Sequence, residues 1–172
     1  MNKNQVAIIL GSDSDLEVMS QTAEVLEEFG IFYTITVSSA HRSPERTINL
    51  VNQYHKNGVK VIIAAAGLAA HLAGVISAHF PLPVIGVPIK SGALNGVDSL
   101  YSTVQMPPGI PVATVGIDNA KNAGLLAVQI LATSDKKLEE KLLEYKKTLA
   151  DVVEKKGQKL EKIGWKKYLT EK

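Results

Sequence analysis

Five short apolar runs, rich in Val, Ile and Ala, recur through the first two thirds of the chain and constrain its fold more than any other feature. Segments with helical spacing separate successive runs. Continuous apolar runs of strand length are typical of strands that are buried on both faces of a parallel sheet. We therefore predict strands at residues 6–10, 32–37, 59–66, 83–87 and 112–115.

The segments between these runs place apolar residues on one face of a helix. In the first segment Leu16, Met19 and Leu26 share a face, and Gly30 is suited to end the helix. Pro44 is suited to the first turn of the second helix. The spacing predicts helices at residues 15–29, 44–57, 69–80, 97–105 and 119–132.

This alternation of strands and helices implies right-handed crossovers and helices on both faces of the sheet. We predict a three-layer αβα fold, in the α/β class, whose five parallel strands follow the flavodoxin-like order 2-1-3-4-5. The catalytic domain is expected to cover residues 1–134. Residues 135–172 are predicted to form a C-terminal helical arm that packs on another subunit.

The arm is rich in lysine, and two interpretations of its charge are possible. A surface that binds nucleic acid would favour arginine or interleaved aromatic residues, and residues 135–172 contain no Arg. A solvated amphipathic helix explains the charge better, so we expect no nucleic-acid partner.

The composition excludes several kinds of chemistry and location. The chain has no Cys, which excludes disulfides, thiolate catalysis and cysteine-ligated metal centres. No apolar stretch approaches the roughly 20 residues that a membrane span needs. The first ten residues lead directly into a strand, without the apolar core of a signal peptide. We therefore expect a cytoplasmic protein with no membrane partner.

Ligands of open parallel sheets bind beyond the carboxyl ends of the strands, so the loops at that edge matter most. The loop after the first strand, residues 11–15, has the sequence GSDSD and leads into a helix. Backbone N–H groups at a helix amino terminus favour an anion, and serine hydroxyls add donors. Asp15 is able to accept hydrogen bonds from sugar hydroxyls. Alternatively, Ser14 or Asp15 only caps the helix.

The loop after the second strand, residues 38–44, contains adjacent His41 and Arg42. The Arg42 guanidinium is always charged and is suited to bidentate contact with phosphate. His41 titrates near neutral pH and is able to move a proton. A purely structural turn is the alternative interpretation of this pair.

Beyond the third strand, Gly67 would let backbone N–H groups approach a ligand closely. His71 lies in an apolar segment, where it is either a hydrogen-bonded core residue or part of the site. His55 and His79 are assigned no role. Residues 91–108 are long enough to cover the site, with Asp98 or Ser99 capping a short helix.

Known catalytic motifs are absent from these loops. GSDSD matches neither GxGxxG nor the Walker pattern, and GxSxG does not occur. The histidines lack the spacing and carboxylate neighbours of a metal site. The reaction class that remains is acid–base chemistry on a phosphorylated substrate, without a cofactor.

Six motifs, in order, resemble those of the PurE family of purine biosynthesis, and the resemblance covers residues 6–132. Agreement of several long motifs in register is far more specific than any one of them. The motifs are GSDSD at 11–15, SAHRSP at 39–44, AGLAAHL at 66–72, PVIGVP at 83–88, GVDSL at 96–100 and QMP at 105–107.

The resemblance implies a mutase that converts N5-carboxyaminoimidazole ribonucleotide to 4-carboxyaminoimidazole ribonucleotide. The family's other branch carboxylates aminoimidazole ribonucleotide directly and typically has Lys after the first His, where this chain has Arg42. The mutase pattern usually has Gly at the position of Leu68 and Pro at that of Ala73. A non-catalytic receiver-like module is disfavoured, because Gly67 and Leu68 follow the third strand where a receiver needs Asp.

The resemblance also implies roles for particular residues. Ser12 and Arg42 would hold the 5′-phosphate, Asp15 would hold the ribose hydroxyls, and His41 would be the general acid and base. The pocket for the imidazole and carboxylate would be lined by Ser39, Gly67, Ala69 and Ala70, with His71 nearby. The family needs no metal or other cofactor and is typically a homo-octamer with sites at subunit boundaries.

Overall fold

A computed structural model describes residues 3–171 and contains one sheet of five parallel strands. The strand order, β2-β1-β3-β4-β5, confirms the predicted flavodoxin-like topology. Every residue of β1 and β4 is buried, as their unbroken apolar sequences predict. The strands are β1 (Val6–Leu10), β2 (Tyr33–Val37), β3 (Val61–Gly67), β4 (Val84–Ile89) and β5 (Ala113–Thr114).

Helices connect the strands and continue beyond the sheet. The first helix ends at Gly30, whose left-handed conformation (φ 74°) only glycine adopts without strain. Pro44 occupies the first turn of the second helix, as predicted. The helices are α1 (Leu16–Phe29), α2 (Pro44–Lys56), α3 (Leu72–His79), α4 (Val97–Val104), α5 (Ala120–Ala132) and α6 (Lys136–Thr170).

Two predicted boundaries at the carboxyl edge were wrong, and both affect the site. Helix α3 begins at Leu72 rather than at residue 69, with His71 at its N-cap position. The turn that precedes it contains Leu68 in a left-handed conformation (φ 55°). Strand β4 continues two residues past the predicted end, through Pro88 and Ile89. Pro88 is accommodated there although proline cannot donate a backbone hydrogen bond.

The core lies between the sheet and its helices. Ile62 of β3 and Ile76 of α3 are fully buried in one cluster, and Gly86 of β4 leaves space there for the side chain of Thr103. This close packing fixes the strands, and hence the loops at their carboxyl ends.

Contacts divide the chain into two compact units, Met1–Leu131 and Ala132–Lys172. The second contains α6, where Asp135 caps the amino terminus by accepting hydrogen bonds from Lys137 and Leu138. Gly164 interrupts α6 with a non-helical backbone, and Lys159 then forms an ion pair with Glu171 at 3.3 Å. Within residues 3–171, no helix is long and apolar enough to cross a membrane.

Candidate active site

A cavity of about 540 Å³ opens at the carboxyl edge of the sheet, surrounded by the loops that follow β1, β2, β3 and β4. Ala70 is a predicted site residue that does not line it, and Ala70 is buried in the fold. The other predicted residues all line the cavity: Ser12, Asp15, Ser39, His41, Arg42, Gly67, Ala69 and His71.

The turn after β1 is held by hydrogen bonds among Ser12, Ser14 and Asp15. The Ser12 hydroxyl accepts from the backbone N–H of Ser14 at 3.4 Å, and the Ser12 N–H donates to the Asp15 carboxylate at 3.2 Å. The residues therefore form a capping box for a single 3-10 turn, Asp13–Asp15, with Ser12 as its N-cap. Asp15 occupies the N-cap position of α1 itself, but its side chain makes no capping hydrogen bond to that helix. These hydrogen bonds and ligand binding are compatible, because each oxygen has a further lone pair and both residues line the cavity.

The Asp15 carboxyl group is buried, and this burial raises its pKa above the ordinary value of 3.8. Hydrogen bonds from Ser12 and Ser14 oppose the shift, whereas the negative charges of Asp13 and Asp118 add to it. Asp118 belongs to the turn after β5, so an acidic group from a second strand end contributes to the raised pKa of Asp15.

Arg42 links the loops after β1 and β2. Its guanidinium donates to the Gly11 carbonyl at 3.1 Å, and its backbone N–H donates to the Ser39 hydroxyl at 3.3 Å. Within residues 3–171, no carboxylate forms an ion pair with Arg42. A guanidinium that is oriented by neutral partners, and lies on a cavity wall, keeps its charge available for an anionic ligand.

The side chains of His41 and His71 meet in the cavity. Nε2 of His41 lies 2.9 Å from Nδ1 of His71, although the residues come from loops after different strands. His71 is the N-cap residue of α3 and is exposed, so the interpretation as a core histidine was wrong. The other two histidines, His55 and His79, do not line the cavity.

Ser91 was missed as a lining residue. It follows β4, and its hydroxyl accepts a hydrogen bond from the backbone N–H of Leu68 at 3.2 Å. A Cβ on Gly67 would collide with this hydroxyl, so glycine is required there for close packing of two loops. The sequence signal for it was its position: Ser91 begins the segment 91–108 that was expected to cover the site.

Of the two departures from the family pattern, one lies in the site and one in the core. Leu68 lines the cavity, whereas Ala73 is buried in α3 and faces Gly86 of β4.

The amino terminus of α4 differs from the prediction. Ser99 and Asp98 do not cap α4, because Gly96 occupies the N-cap position. The Ser99 hydroxyl instead donates to the carbonyls of Ile89 and Gly96.

The cavity combines the guanidinium of Arg42, the buried carboxyl group of Asp15 and the imidazoles of two histidines. These groups suit a ligand with an anionic end and hydroxyl groups, and they suit proton transfer at its other end. Within the described residues, no group of three or more His, Asp or Glu side chains is placed to hold a metal ion.

Comparison with known proteins agrees with this geometry. The model of the family described as "AIR carboxylase" matches residues 5–152, which include every residue of the cavity. The chain belongs to the AIR carboxylase family.

Members of the AIR carboxylase family with two different names are similar to this chain. A Pyrococcus horikoshii protein named N5-carboxyaminoimidazole ribonucleotide mutase is 57% identical, over 98% of this chain and 96% of its own length. A Schizosaccharomyces pombe protein named phosphoribosylaminoimidazole carboxylase is 51% identical, over 95% of this chain but only 30% of its own length.

Among solved structures, the crystal structure of Treponema denticola PurE superimposes with a TM-score of 0.84 at 32% identity. The superposition covers 90% of this chain and 97% of that one. The five-stranded parallel sheet flanked by helices is therefore the fold of this family.

Proposed function

We propose that this chain is a mutase that converts N5-carboxyaminoimidazole ribonucleotide to 4-carboxyaminoimidazole ribonucleotide in de novo purine biosynthesis. The observation that carries the proposal is that His41 and Arg42 face the same cavity as the Ser12–Asp15 turn. The Pyrococcus horikoshii relative, which matches over nearly its full length and is named as this mutase, supports it.

The binding roles follow from the charge and position of each group. We assign the 5′-phosphate to Arg42 and Ser12, because the guanidinium and the hydroxyl are donors on one side of the cavity. Asp15 accepts hydrogen bonds from the ribose hydroxyls, since a carboxylate has acceptor capacity beyond its bonds to Ser12 and Ser14. Ser39, Gly67 and Ala69 line the remaining wall, where the imidazole ring fits.

The reaction needs one proton to move out and back, and His41 is placed to move it. Protonated His41 donates to N5 as the N5–carboxyl bond breaks, which releases carbon dioxide and leaves the amine. C4 then attacks the carbon dioxide with electrons supplied by the exocyclic amine. His41 takes the proton from the tetrahedral C4, which restores the aromatic ring and the original state of the enzyme. A positioned acid or base of this kind contributes typically about 10²- to 10⁴-fold.

A two-substrate assay tests the function. The purified protein is given N5-carboxyaminoimidazole ribonucleotide in one reaction, and aminoimidazole ribonucleotide with bicarbonate in another. We expect formation of the 4-carboxy product to be much faster in the first. Equal or faster formation in the second would replace the mutase with a direct carboxylase, and turnover in neither would leave a non-catalytic nucleotide-binding module.

The direct carboxylase is the second candidate, because the Schizosaccharomyces pombe relative carries that name at 51% identity. That relative is more than three times as long as the matched region, so its activity as a whole protein does not transfer simply. Arg42 after His41, where the carboxylase branch typically has Lys, favours the mutase.

We also propose that the enzyme is a homo-octamer. Helix α4 exposes Val97, Tyr101 and Val104 on one face, since these residues are four and three positions apart. A contiguous apolar face on the surface is typical of a protein interface. Light scattering should give eight times the 18.5 kDa mass of one chain. Tyr101→Lys should lower this mass, and a monomer in the unaltered protein would overturn the proposal.

The arm is proposed to pack on a neighbouring subunit. Helix α6 leaves Leu149, Val152 and Trp165 exposed, which is unfavourable unless another surface covers them. Removing residues 151–172 should therefore reduce the molar mass of the assembly. An unchanged molar mass would contradict this role for the arm.

We further propose that the enzyme works in the cytoplasm on a small-molecule ribonucleotide. The phosphate and carboxylate charges keep such a substrate in the compartment where it is made, because charged groups cross a bilayer only at high cost. Fractionation of cells that express the protein should recover it with the cytoplasmic enzymes, and recovery in a membrane fraction would contradict the proposal.

A further inference from the structure

Leu68 combines an uncommon backbone conformation with a position on the cavity wall. Its φ of 55° is in the left-handed region, where a side chain with a Cβ is strained. The side chain is 55% exposed and lines the cavity. A strained conformation of this kind persists only where neighbouring contacts hold it, and it is found most often at functional sites.

Two residues of the loop after β4 hold Leu68 in place. The Ser91 hydroxyl accepts a hydrogen bond from the Leu68 N–H at 3.2 Å. A Cβ on Gly92 would lie 2.9 Å from the Cδ2 atom of Leu68, so the leucine side chain rests directly against the glycine backbone. Leu68 therefore bridges the turn after β3 and the loop after β4.

The wall around Leu68 is apolar, but most of it is formed by small or buried side chains. Ala66 and Ala69 present only methyl groups, and Leu72 is 2% exposed. Leu68 is thus the large apolar group that this wall presents, three residues before His71. An apolar side chain at such a position restricts the entry of water and the exit of a small apolar molecule.

We propose that Leu68 retains carbon dioxide in the cavity between the two halves of the reaction. This inference rests on the proposed mutase function, in which carbon dioxide released from N5 must bond to C4 before it escapes. Carbon dioxide has no net dipole and accepts only weak hydrogen bonds, so contact with an apolar side chain favours it over contact with water. The bulk of the leucine side chain also narrows the way out of the cavity. Confinement beside C4 gives the second step its proximity advantage.

The test measures how often carbon dioxide escapes. The full-length protein is given N5-carboxyaminoimidazole ribonucleotide in buffer that contains ¹³C-bicarbonate, with an enzyme-free control for spontaneous decarboxylation. Escape appears as free aminoimidazole ribonucleotide and as ¹³C in the 4-carboxy product. We expect Leu68→Gly to raise the ratio of free amine to product at least about fivefold. Leu68→Met, which keeps the apolar reach, should restore a ratio near that of the unaltered protein.

Two further variants separate this role from a structural one. Leu94→Ala removes an exposed leucine of the loop after β4 that does not line the cavity, and it should leave the ratio of free amine to product unchanged. Gly92→Ala displaces Leu68 without altering it. Gly92→Ala alone should raise the ratio of free amine to product. Combined with Leu68→Gly, it should cause no further rise.

The possible failures are distinguishable. If the unaltered protein forms no 4-carboxy product from the N5-carboxylated substrate, the proposed function fails and the role of Leu68 fails with it. In a second outcome, the unaltered protein turns over while Leu68→Gly and Gly92→Ala give the same ratio of free amine to product, and the same ¹³C content of the product, as the unaltered protein. That result would overturn only the role of Leu68.

Discussion

His41 and His71 are 30 residues apart in the chain, yet Nε2 of the first and Nδ1 of the second share a hydrogen bond of 2.9 Å. Their rings are nearly perpendicular, at 80°, with centroids 5.0 Å apart. One nitrogen must donate and the other must accept, so the two rings cannot both be imidazolium while this bond persists. His71 thereby orients the ring of His41, and the tautomers of the two rings depend on each other.

Replacing either histidine should therefore slow turnover, but by different amounts. His41→Asn should retain folding and nucleotide binding while the kcat falls by about 10²- to 10⁴-fold, because the acid and base is lost. His71→Leu should lower kcat by roughly tenfold with little change in KM, because the ring of His41 loses its orienting partner. Steady-state kinetics measure both effects.

The double variant is the control for this pair. Residues that act as a unit give non-additive effects, so His41→Asn with His71→Leu should be no slower than His41→Asn alone. A further tenfold loss in the double variant would mean that His71 acts independently. Activity of His41→Asn within about tenfold of the unaltered protein would remove His41 as the acid and base.

Arg42→Ala should mainly weaken substrate binding, because the guanidinium lies at the cavity wall and donates to the Gly11 carbonyl at 3.1 Å and to the Ser39 hydroxyl at 3.5 Å. Loss of a charge-assisted hydrogen bond predicts about a 10- to 100-fold rise in Kd for aminoimidazole ribonucleotide, measured by calorimetry. Arg42→Lys should recover only part of the affinity, since an ammonium cannot bind bidentately.

Arg46 provides a matched control for Arg42. It is exposed, its guanidinium contacts the Thr36 hydroxyl at 3.5 Å, and it does not line the cavity. Arg46→Ala should leave the affinity unchanged. Equal effects of the two alanine variants would indicate a general electrostatic influence instead of a phosphate contact by Arg42.

The sheet was predictable because its signal is contained in short stretches of sequence. The apolar run of β1 matched the observed bounds, and Gly30 ended α1 where expected. The edges of elements were less predictable where contacts between loops override local preference. The left-handed turn at Leu68 depends on Ser91, 23 residues away, and nothing in the sequence near Leu68 indicates it.

The candidate site was predictable in its membership but not in its internal geometry. Parallel strands end at one edge, so residues after each strand were expected to meet, and Ser12 and Arg42 do line one cavity. The hydrogen bond between His41 and His71 could not be predicted, because it depends on how far each of the two loops extends beyond the edge of the sheet. The dual position of Asp15, which belongs to both a capping box and the cavity wall, likewise required coordinates.

The raised pKa of Asp15 predicts how stability depends on pH. Its pKa in the folded state exceeds the ordinary 3.8, mainly because of burial, so the folded state binds the proton more tightly. The contribution of Asp15 to the free energy of unfolding is therefore largest below 3.8 and falls as pH rises through the raised value. Relative to Asp15→Asn, the unaltered protein should lose Tm as pH rises from 3.8 through the raised pKa.

Thermal unfolding at several pH values measures this difference, and Asp151→Asn, which alters an exposed carboxylate of α6, is the control. The difference in Tm between Asp151→Asn and the unaltered protein should stay nearly constant over the same range. A difference for Asp15→Asn that is equally constant would contradict the raised pKa.

Gly86 is predicted to be essential for packing between β4 and α4. A Cβ there would collide with the Cγ2 methyl of Thr103 and lie 3.0 Å from Val112, so Gly86→Ala should destabilise the fold by about 1–3 kcal/mol. Thr103→Ser removes that methyl but keeps the hydroxyl that donates to the Ser99 carbonyl at 2.7 Å. Combining the two substitutions should therefore cost less than the sum of their separate effects, in urea unfolding. Strictly additive costs would mean that the added methyl is accommodated elsewhere, and that Thr103 does not set the spacing of α4 from the sheet.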